Sequence, residues 1–361
     1  MGDVLGLRAL NRATLARQLL LRRSALDPFE AVRHLIGLQA QVPHDPYTAL
    51  WSRLDGFRPE SLSELFERRE VVRGGVMRGT IHLLTSDDCL RLRPLTRPVF
   101  EGQLWRHRDF SPQLRGVDLD PVVEAGRIAL EEPRTGTELR AFLAARFPEL
   151  DPAALAYACQ MRLALVQVPP RGLWGKSAQV RWTTAEAWLG QPLEKDPSLD
   201  DMVLRYFASF GPASVADVTT WCRLTGLREV VERLRPRLVT FRDERGRELF
   251  DLPAAPRPDP ATPAPVRFLP EYDNVLLSHD DRTRFGSPDS QRVLAPVWTL
   301  GSGAVLQDGV VRGVWRRQEP GLTVHHLPLS QRAAASVAAE GRRLARFLGV
   351  APDVRLVELS R

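Results

Sequence analysis

The chain has 361 residues, 43% hydrophobic and 26% charged, which suits a folded protein of several modules and excludes a disordered or fibrous one. Its net charge is +6, and all but two of the 50 basic side chains are arginine, the exceptions being Lys176 and Lys195. That balance favours an anionic partner, nucleic acid first, and no apolar run is long enough to span a bilayer.

The N-terminus has no signal-peptide apolar stretch, and Gly2 lacks the Ser or Thr of a myristoylation signal. Cys89, Cys159 and Cys222 are too scattered for a disulfide framework or zinc site, so a soluble, cytoplasmic protein is expected. Apolar spacing predicts helices over 7–23, 28–41, 47–54 and 61–69, the last opened by a Ser61–Glu64 capping box. Val71–Thr85 reads as a hairpin around Gly74-Gly75. From Arg68 to Arg115 ten arginines face five acids, which concentrates most of the net charge there.

The same plan recurs twice. Helices over 121–131, 137–146 (capped by Thr137) and 152–163 precede a hairpin over 164–183; helices over 200–210, 214–225 and 227–235 precede one over 238–251. A helix group followed by a two-stranded wing is the plan of a winged helix. The expected fold is therefore α+β: three tandem winged-helix repeats (1–118, 119–195, 196–255), a proline-rich linker (256–265) and a small β-barrel-like domain with a final helix (266–361). Strands are expected at 266–269, 275–277, 293–300, 304–306, 310–315 and 322–329, with a tight turn at Asp308-Gly309 and the helix over 330–348.

Gln39-Ala40-Gln41 is the most informative stretch. Pro43 pushes Val42 out of helical geometry, so the helix is expected to stop there and leave both amides at its end. Two fixed amides offer donors and acceptors to a water or a nucleobase, and the plain alternative is a solvated helix end.

Leu38-Gln-Ala-Gln41 with Pro43-x-x-Pro46-Tyr47, Met77-Arg-Gly-Thr-Ile-His82, Leu269-Pro-Glu-Tyr-Asp-Asn274 and Asp308-Gly309 to Trp315 together resemble the bacterial winged-helix-repeat DNA glycosylases, the AlkZ/YcaQ superfamily. Each motif alone is weak, but the set occurs in order over nearly the whole chain. The resemblance implies that Gln39 and Gln41 are the catalytic element. Gln41, where the YcaQ-like branch has an acid, points to the AlkZ-like branch, whose members excise or unhook bulky alkylated purines. The implied protein is a monofunctional glycosylase on duplex DNA, monomeric, nucleoid-associated and without a cofactor, with self-resistance to a genotoxic natural product as one expected use. Chemically, an N7-alkylated purine is already cationic, so the enzyme has to place a water and tolerate an oxocarbenium-like sugar. The negative end of the helix dipole is a candidate aid.

Arg73, Arg78, His82, Arg282 and Arg284 are candidate DNA contacts; for Arg78 and His82 the alternative is a satisfied pair within the wing. Glu271, Asp273, Asp280 and Asp281 with Arg282 and Arg284 also read as a salt-bridged hinge that packs the last domain on the repeats. Asp45 is either a base or a loop-capping residue, and His325-His326 is structural or DNA-facing rather than metal-binding. Tyr47 and Trp51 are expected to pack inward, leaving an open cleft without an aromatic sandwich. The rival functions are a winged-helix DNA-binding protein or transcriptional regulator without catalysis, and a degenerate repair homologue that only senses lesions.

Overall fold

In the computed structural model, residues 3–359 are described, and Met1-Gly2, on which the acylation reading bears, lie outside them. The helix expected to carry the glutamines stops well short of them. It covers Pro28–His34, starts on Asp27, whose carboxylate accepts from the Glu30 amide, and ends in a left-handed turn. Ile36 and Gly37 have φ of +54° and +85°, and the Gly37 amide donates back to the Val32 carbonyl at 2.9 Å. Leu38–Gln39 is then a strand, antiparallel to Ile81–Thr85, with Leu38 opposite Leu83 and Gln39 opposite His82. Gly37 was the helix-stop signal in the sequence, and it was passed over for the proline farther on.

The hairpin also turns later than expected. Its strands are Val71–Gly75 and Ile81–Thr85, and Met77–Gly79 makes the turn, with Arg78 at φ +57°. Gly74 and Gly75 are strand residues: a Cβ on Gly75 would lie 2.9 Å from the Phe100 ring, so close packing explains that glycine rather than a turn. Val71–Gly75 pairs in turn with Leu165–Gln167, which pairs with Trp182–Thr184. The first and second hairpins thus share one five-stranded sheet, which crosses the expected boundary at 118/119. The third hairpin, Val239–Asp243 with Glu248–Asp251, is extended by the parallel N-terminal strand Val4–Leu5.

Several helices differ from the periodicity. The first covers Leu7–Arg17 only, because Leu19 turns left-handed (φ +58°). Ser61 lies inside Pro59–Glu67 and its hydroxyl donates to the Arg58 carbonyl, so the expected capping box is absent. The box forms instead at Thr135 with Glu138, two residues before Thr137. Ser86–Arg106, a 21-residue helix, was not expected; Pro94 and Pro98 and its mixed polarity conceal it.

In the last domain the sheet runs Val354–Glu358, Gly321–His326, Val310–Gln318, Gly303–Gln307, Arg267–Leu269. The first and last of these are edges, so the sheet is open rather than a barrel. The helix Gln331–Phe347 links the parallel pair Gly321–His326 and Val354–Glu358, the second of which was not expected. The apolar runs at 275–277 and 293–300 lie in a 3₁₀ turn (Asn274–Leu276), the helix Pro288–Leu294 and a further 3₁₀ turn (Ala295–Val297). Short apolar runs do not distinguish strand from buried helix.

Buried arginines join these units. Arg17 pairs with Asp251 at 2.6 and 2.8 Å, and Arg53 pairs with Asp273 through two 2.8 Å bonds, all four side chains being almost wholly buried. Breaking such a pair on one side costs about 3–5 kcal/mol. The linker is strapped down as well: Arg8 donates to the Pro260 carbonyl and Arg12 to that of Thr262, both at 2.6 Å. The three cysteines are free and buried, and among the described residues no helix is long and apolar enough to cross a membrane.

Gly37→Ala should lower stability by about 1–3 kcal/mol, since a Cβ there would meet Leu84 Cδ2 at 2.6 Å and the Leu83 carbonyl at 2.7 Å. Thermal unfolding measures this, and an unchanged Tm would mean that the turn before the glutamines does not need glycine.

Candidate active site

Side chains two apart on a strand share a face, and this is how Gln39 and Gln41 come together. Leu38 and Ala40 point into the core, 2% and 0% exposed, and the Ala40 amide donates to the Ile81 carbonyl at 2.8 Å. The glutamines take the other face. Donors dictate how each amide is turned: Gln39 Oε1 accepts from Arg78 Nη2 at 2.7 Å, and Gln41 Oε1 accepts from the Ile81 amide at a long 3.4 Å. Among the described residues no hydrogen bond engages either Nε2. Gln39 is therefore held firmly, while the exposed Gln41 is free to swivel.

Arg78 is the hub. Besides Gln39 its Nη2 reaches Asn274 Oδ1 at 2.8 Å and His82 Nε2 at 3.2 Å, while Nη1 donates to the Trp221 carbonyl at 3.1 Å. His82 is fully buried, with Nδ1 3.0 Å from the Thr80 carbonyl. Since Arg78 donates to Nε2, the ring proton belongs on Nδ1. Burial, reinforced by the charge of Arg78, pushes the imidazole down to about 3, so His82 stays neutral and structural. Burial also lowers Arg78, to about 10, and the nearby positive charges of Arg223 and Arg282 add to this. Among the described residues, none of these three arginines has a carboxylate within salt-bridge distance. Their convergence beside the glutamines is an anion-binding arrangement.

Three of the expected DNA contacts are not at the surface, His82 being the first. Arg73 is 1% exposed and donates to the Ala40 carbonyl at 2.7 Å and to Gln167 Oε1 at 2.8 Å, which makes it a strut under the motif. Arg284, 4% exposed, donates to Thr14 Oγ1 and the Pro212 carbonyl. Arg282 is exposed. Of the arginines between 68 and 115, Arg93 is buried too, Arg68 and Arg91 are paired with glutamates, and Arg69 lies over the Trp188 ring. Arg97, Arg106, Arg108 and Arg115 have no ion pair among the described residues. Arg106 and Arg223 line a groove with Arg78 and Gln103, and no local sequence signal singled out Arg223, which caps the helix Val215–Cys222.

The opposite flank is acidic. Asp45 opens the helix Asp45–Arg53, and its amide donates to the Val42 carbonyl at 3.2 Å. Its Oδ2 is buried without a hydrogen-bond partner. Burial, helped by the negative charges of Glu271 and Asp273 and opposed by Arg73, raises the carboxyl from 3.8 to about 8. Neither reading of Asp45 foresaw a carboxyl that stays largely protonated at neutral pH. The helix dipole invoked under the sugar is absent there, because the preceding helix ends at His34.

The acid–base cluster expected between 271 and 284 does not pair within itself. Asp273 goes to Arg53, Asp281 to Arg245 and Arg247, and among the described residues the Asp280 carboxylate receives no side-chain partner, though its amide donates to Asp217. It nevertheless ties the last domain to the helical units, as expected of a hinge. Tyr47 is wholly buried and Trp51 stacks on Phe347 at 5.7 Å, both inward as expected. His326 is buried and His325 half-buried, and among the described residues no three His, Cys, Asp or Glu side chains converge as a metal site.

The structure is similar to that of Streptomyces sahachiroi DNA glycosylase AlkZ, with a TM-score of 0.80 and 22% identity over 98% of this chain and 100% of that one. That likeness shows a shared fold. No curated protein matches the sequence. The model of the AlkZ-like DNA glycosylase family matches residues 32–347, a span that holds both glutamines, Arg78, Asn274 and most of every sheet. The chain belongs to that family and is a DNA glycosylase.

Proposed function

We propose that the chain is a monofunctional glycosylase that excises bulky N7-alkylated purines from duplex DNA, with Gln39 and Gln41 as its catalytic pair. The observation that carries this reading is the Arg78-oriented amide of Gln39 beside three arginines without carboxylate partners. A phosphate next to the lesion suits Arg78, Arg223 and Arg282, and the sugar then lies over the glutamine face. Gln41 turns to accept a hydrogen bond from a water, which leaves a lone pair of that water free for C1′. Gln39 Nε2 donates to the leaving base or to that water. Water adds to C1′ as the C1′–N9 bond breaks, the purine departs with the bonding electrons, and the proton of the water passes to solvent or to ionised Asp45. Approach of a cationic alkylpurine favours that ionisation, because an opposite charge lowers a carboxyl pKa. With only Lys176 and Lys195 in the chain, a Schiff base at the motif has no amine donor nearby in sequence.

The helix groups preceding the three hairpins support winged-helix units, and we take crosslink unhooking and self-resistance as uses of the same excision. The enzyme acts as a cytoplasmic monomer on the nucleoid.

Replacing Gln39 and Gln41 together by Ala should lower single-turnover excision of an N7-alkylguanine at least about 100-fold with little change in Tm or DNA affinity; excision at the wild-type rate would remove both from the site. Arg223 and Arg282 replaced together by Ala should reduce the slope of log K against log salt by about 1.8, read by fluorescence anisotropy. An unchanged slope would mean that neither touches phosphate.

Asp45→Asn tests the acidic flank. Between pH 4 and 8 folded Asp45 holds a proton that the unfolded chain has lost, so wild-type stability falls with rising pH across that window. The Tm of Asp45→Asn relative to wild type should therefore climb from pH 5 to pH 8 and then level. The excision rate of the wild type should rise near pH 8 with a limb that the variant lacks. A flat Tm difference would mean an ordinary, solvated carboxyl.

A further inference from the structure

An apolar cavity of about 580 Å³ opens in the last domain, linked to Gln39 through Asn274 and Arg78. Its walls include Tyr272, Leu276, Phe285, Leu294, Trp298 and Leu300. Three of the few large hydrophobic side chains left exposed cluster here: Tyr272 and Trp298 at 37% and Leu300 at 83%. Such clustering marks a binding surface rather than scattered surface residues.

The backbone gives a second, independent sign. Tyr272 sits at φ +59°, a conformation that strains a bulky residue and that glycine adopts freely. The two residues that follow hold the ring there. Asp273 is fixed by Arg53, and Asn274 accepts from Arg78 and donates to the Gly37 carbonyl at 3.2 Å. Arg78 also orients Gln39, so one four-residue segment joins the cavity to the catalytic face. Glu271 braces the mouth by accepting from the Gly301 amide at 2.8 Å, and Arg282 stands at its rim.

We infer that this cavity takes the planar, apolar body that a bulky adduct carries on the purine, with Tyr272 and Trp298 gripping it while the purine stays at Gln39 and Gln41. The inference rests on the glycosylase reading above. A cavity of this size is in the range of drug-sized ligand pockets and is larger than a base alone would fill. Its lining suits an aromatic or polycyclic group, and its polar edge faces the phosphates.

The test compares two duplexes, one with N7-methylguanine and one with a guanine whose N7 carries a polycyclic aromatic group. Wild type, Tyr272→Gly and Trp298→Ala are assayed for kcat/KM on both. The ratio of bulky to methyl excision should fall at least tenfold in each variant, and Tyr272→Gly, which relieves the backbone strain, should keep its Tm. Should Trp298→Ala fold poorly, Leu300→Glu, at an exposed position, puts a charge at the mouth and should lower the same ratio. An unchanged ratio overturns the cavity assignment alone. Equal losses on both lesions also overturn it, since the base itself is then the occupant. No excision of either lesion by the wild type overturns the N7-alkylpurine reading and this inference with it.

Discussion

The site depends on one guanidinium. Arg78 stands at the tip of the first hairpin in a left-handed conformation and reaches four separate segments. It meets the glutamine strand at Gln39, its own hairpin at His82, the third helical unit at the Trp221 carbonyl and the last domain at Asn274. A planar fork of donors suits this task in a way that a lysine ammonium does not. Because every acceptor is neutral, the charge is spread over dipoles and remains available to an anion. A carboxylate in the same place would have cancelled that charge.

Charge around the glutamines is therefore segregated. Arg78 lies near the positive charges of Arg223 and Arg282, whereas Asp45 lies near the negative charges of Glu271 and Asp273. The arginines fit a permanent anion, whereas the Asp45 carboxyl is mostly protonated at neutral pH. For a reaction that develops positive charge on a sugar flanked by phosphates, this division matches the charges at both ends. Other arginines serve the scaffold: Arg17, Arg53 and Arg205 are paired with aspartates across units, and Arg73 supports the motif strand through its carbonyl. An arginine-rich composition thus includes internal struts as well as exposed charges, and only burial separates the two.

Strain is placed where geometry is needed. Ile36-Gly37 turns the chain from helix to strand, Arg78-Gly79 turns the hairpin, and Tyr272 projects a ring at the cavity edge, all at positive φ. At Gly37 and Gly79 glycine meets the demand at little cost, and close packing against Leu84 and Gln103 leaves no room for a Cβ. At Tyr272 a bulky side chain bears the strain, and the buried bonds of Asp273 and Asn274 hold it in place.

The sequence by itself determined the α+β class, the three helix-plus-hairpin segments and the fold-family resemblance, and it singled out Gln39 and Gln41 as candidates. Those features rest on local periodicity, turn chemistry and ordered motifs, which a linear reading captures. It misjudged how the glutamines share a face, because Gly37 and Pro43 are both stop signals and their ranking depends on the packing of Leu84 against the turn. The long helix Ser86–Arg106 was hidden by its two prolines, and the open last sheet by short apolar runs that suit strand and buried helix alike. Which arginines are buried was decided only in three dimensions. Arg73 and Arg284 resemble their neighbours in sequence, yet contacts hundreds of residues apart bury Arg284, and a strand neighbour ninety-four residues away helps bury Arg73. The raised carboxyl of Asp45 arises where Glu271 and Asp273 of the last domain approach the helix Asp45–Arg53, and the cavity beside Tyr272 arises from packing within the last domain; no short stretch of the chain encodes either.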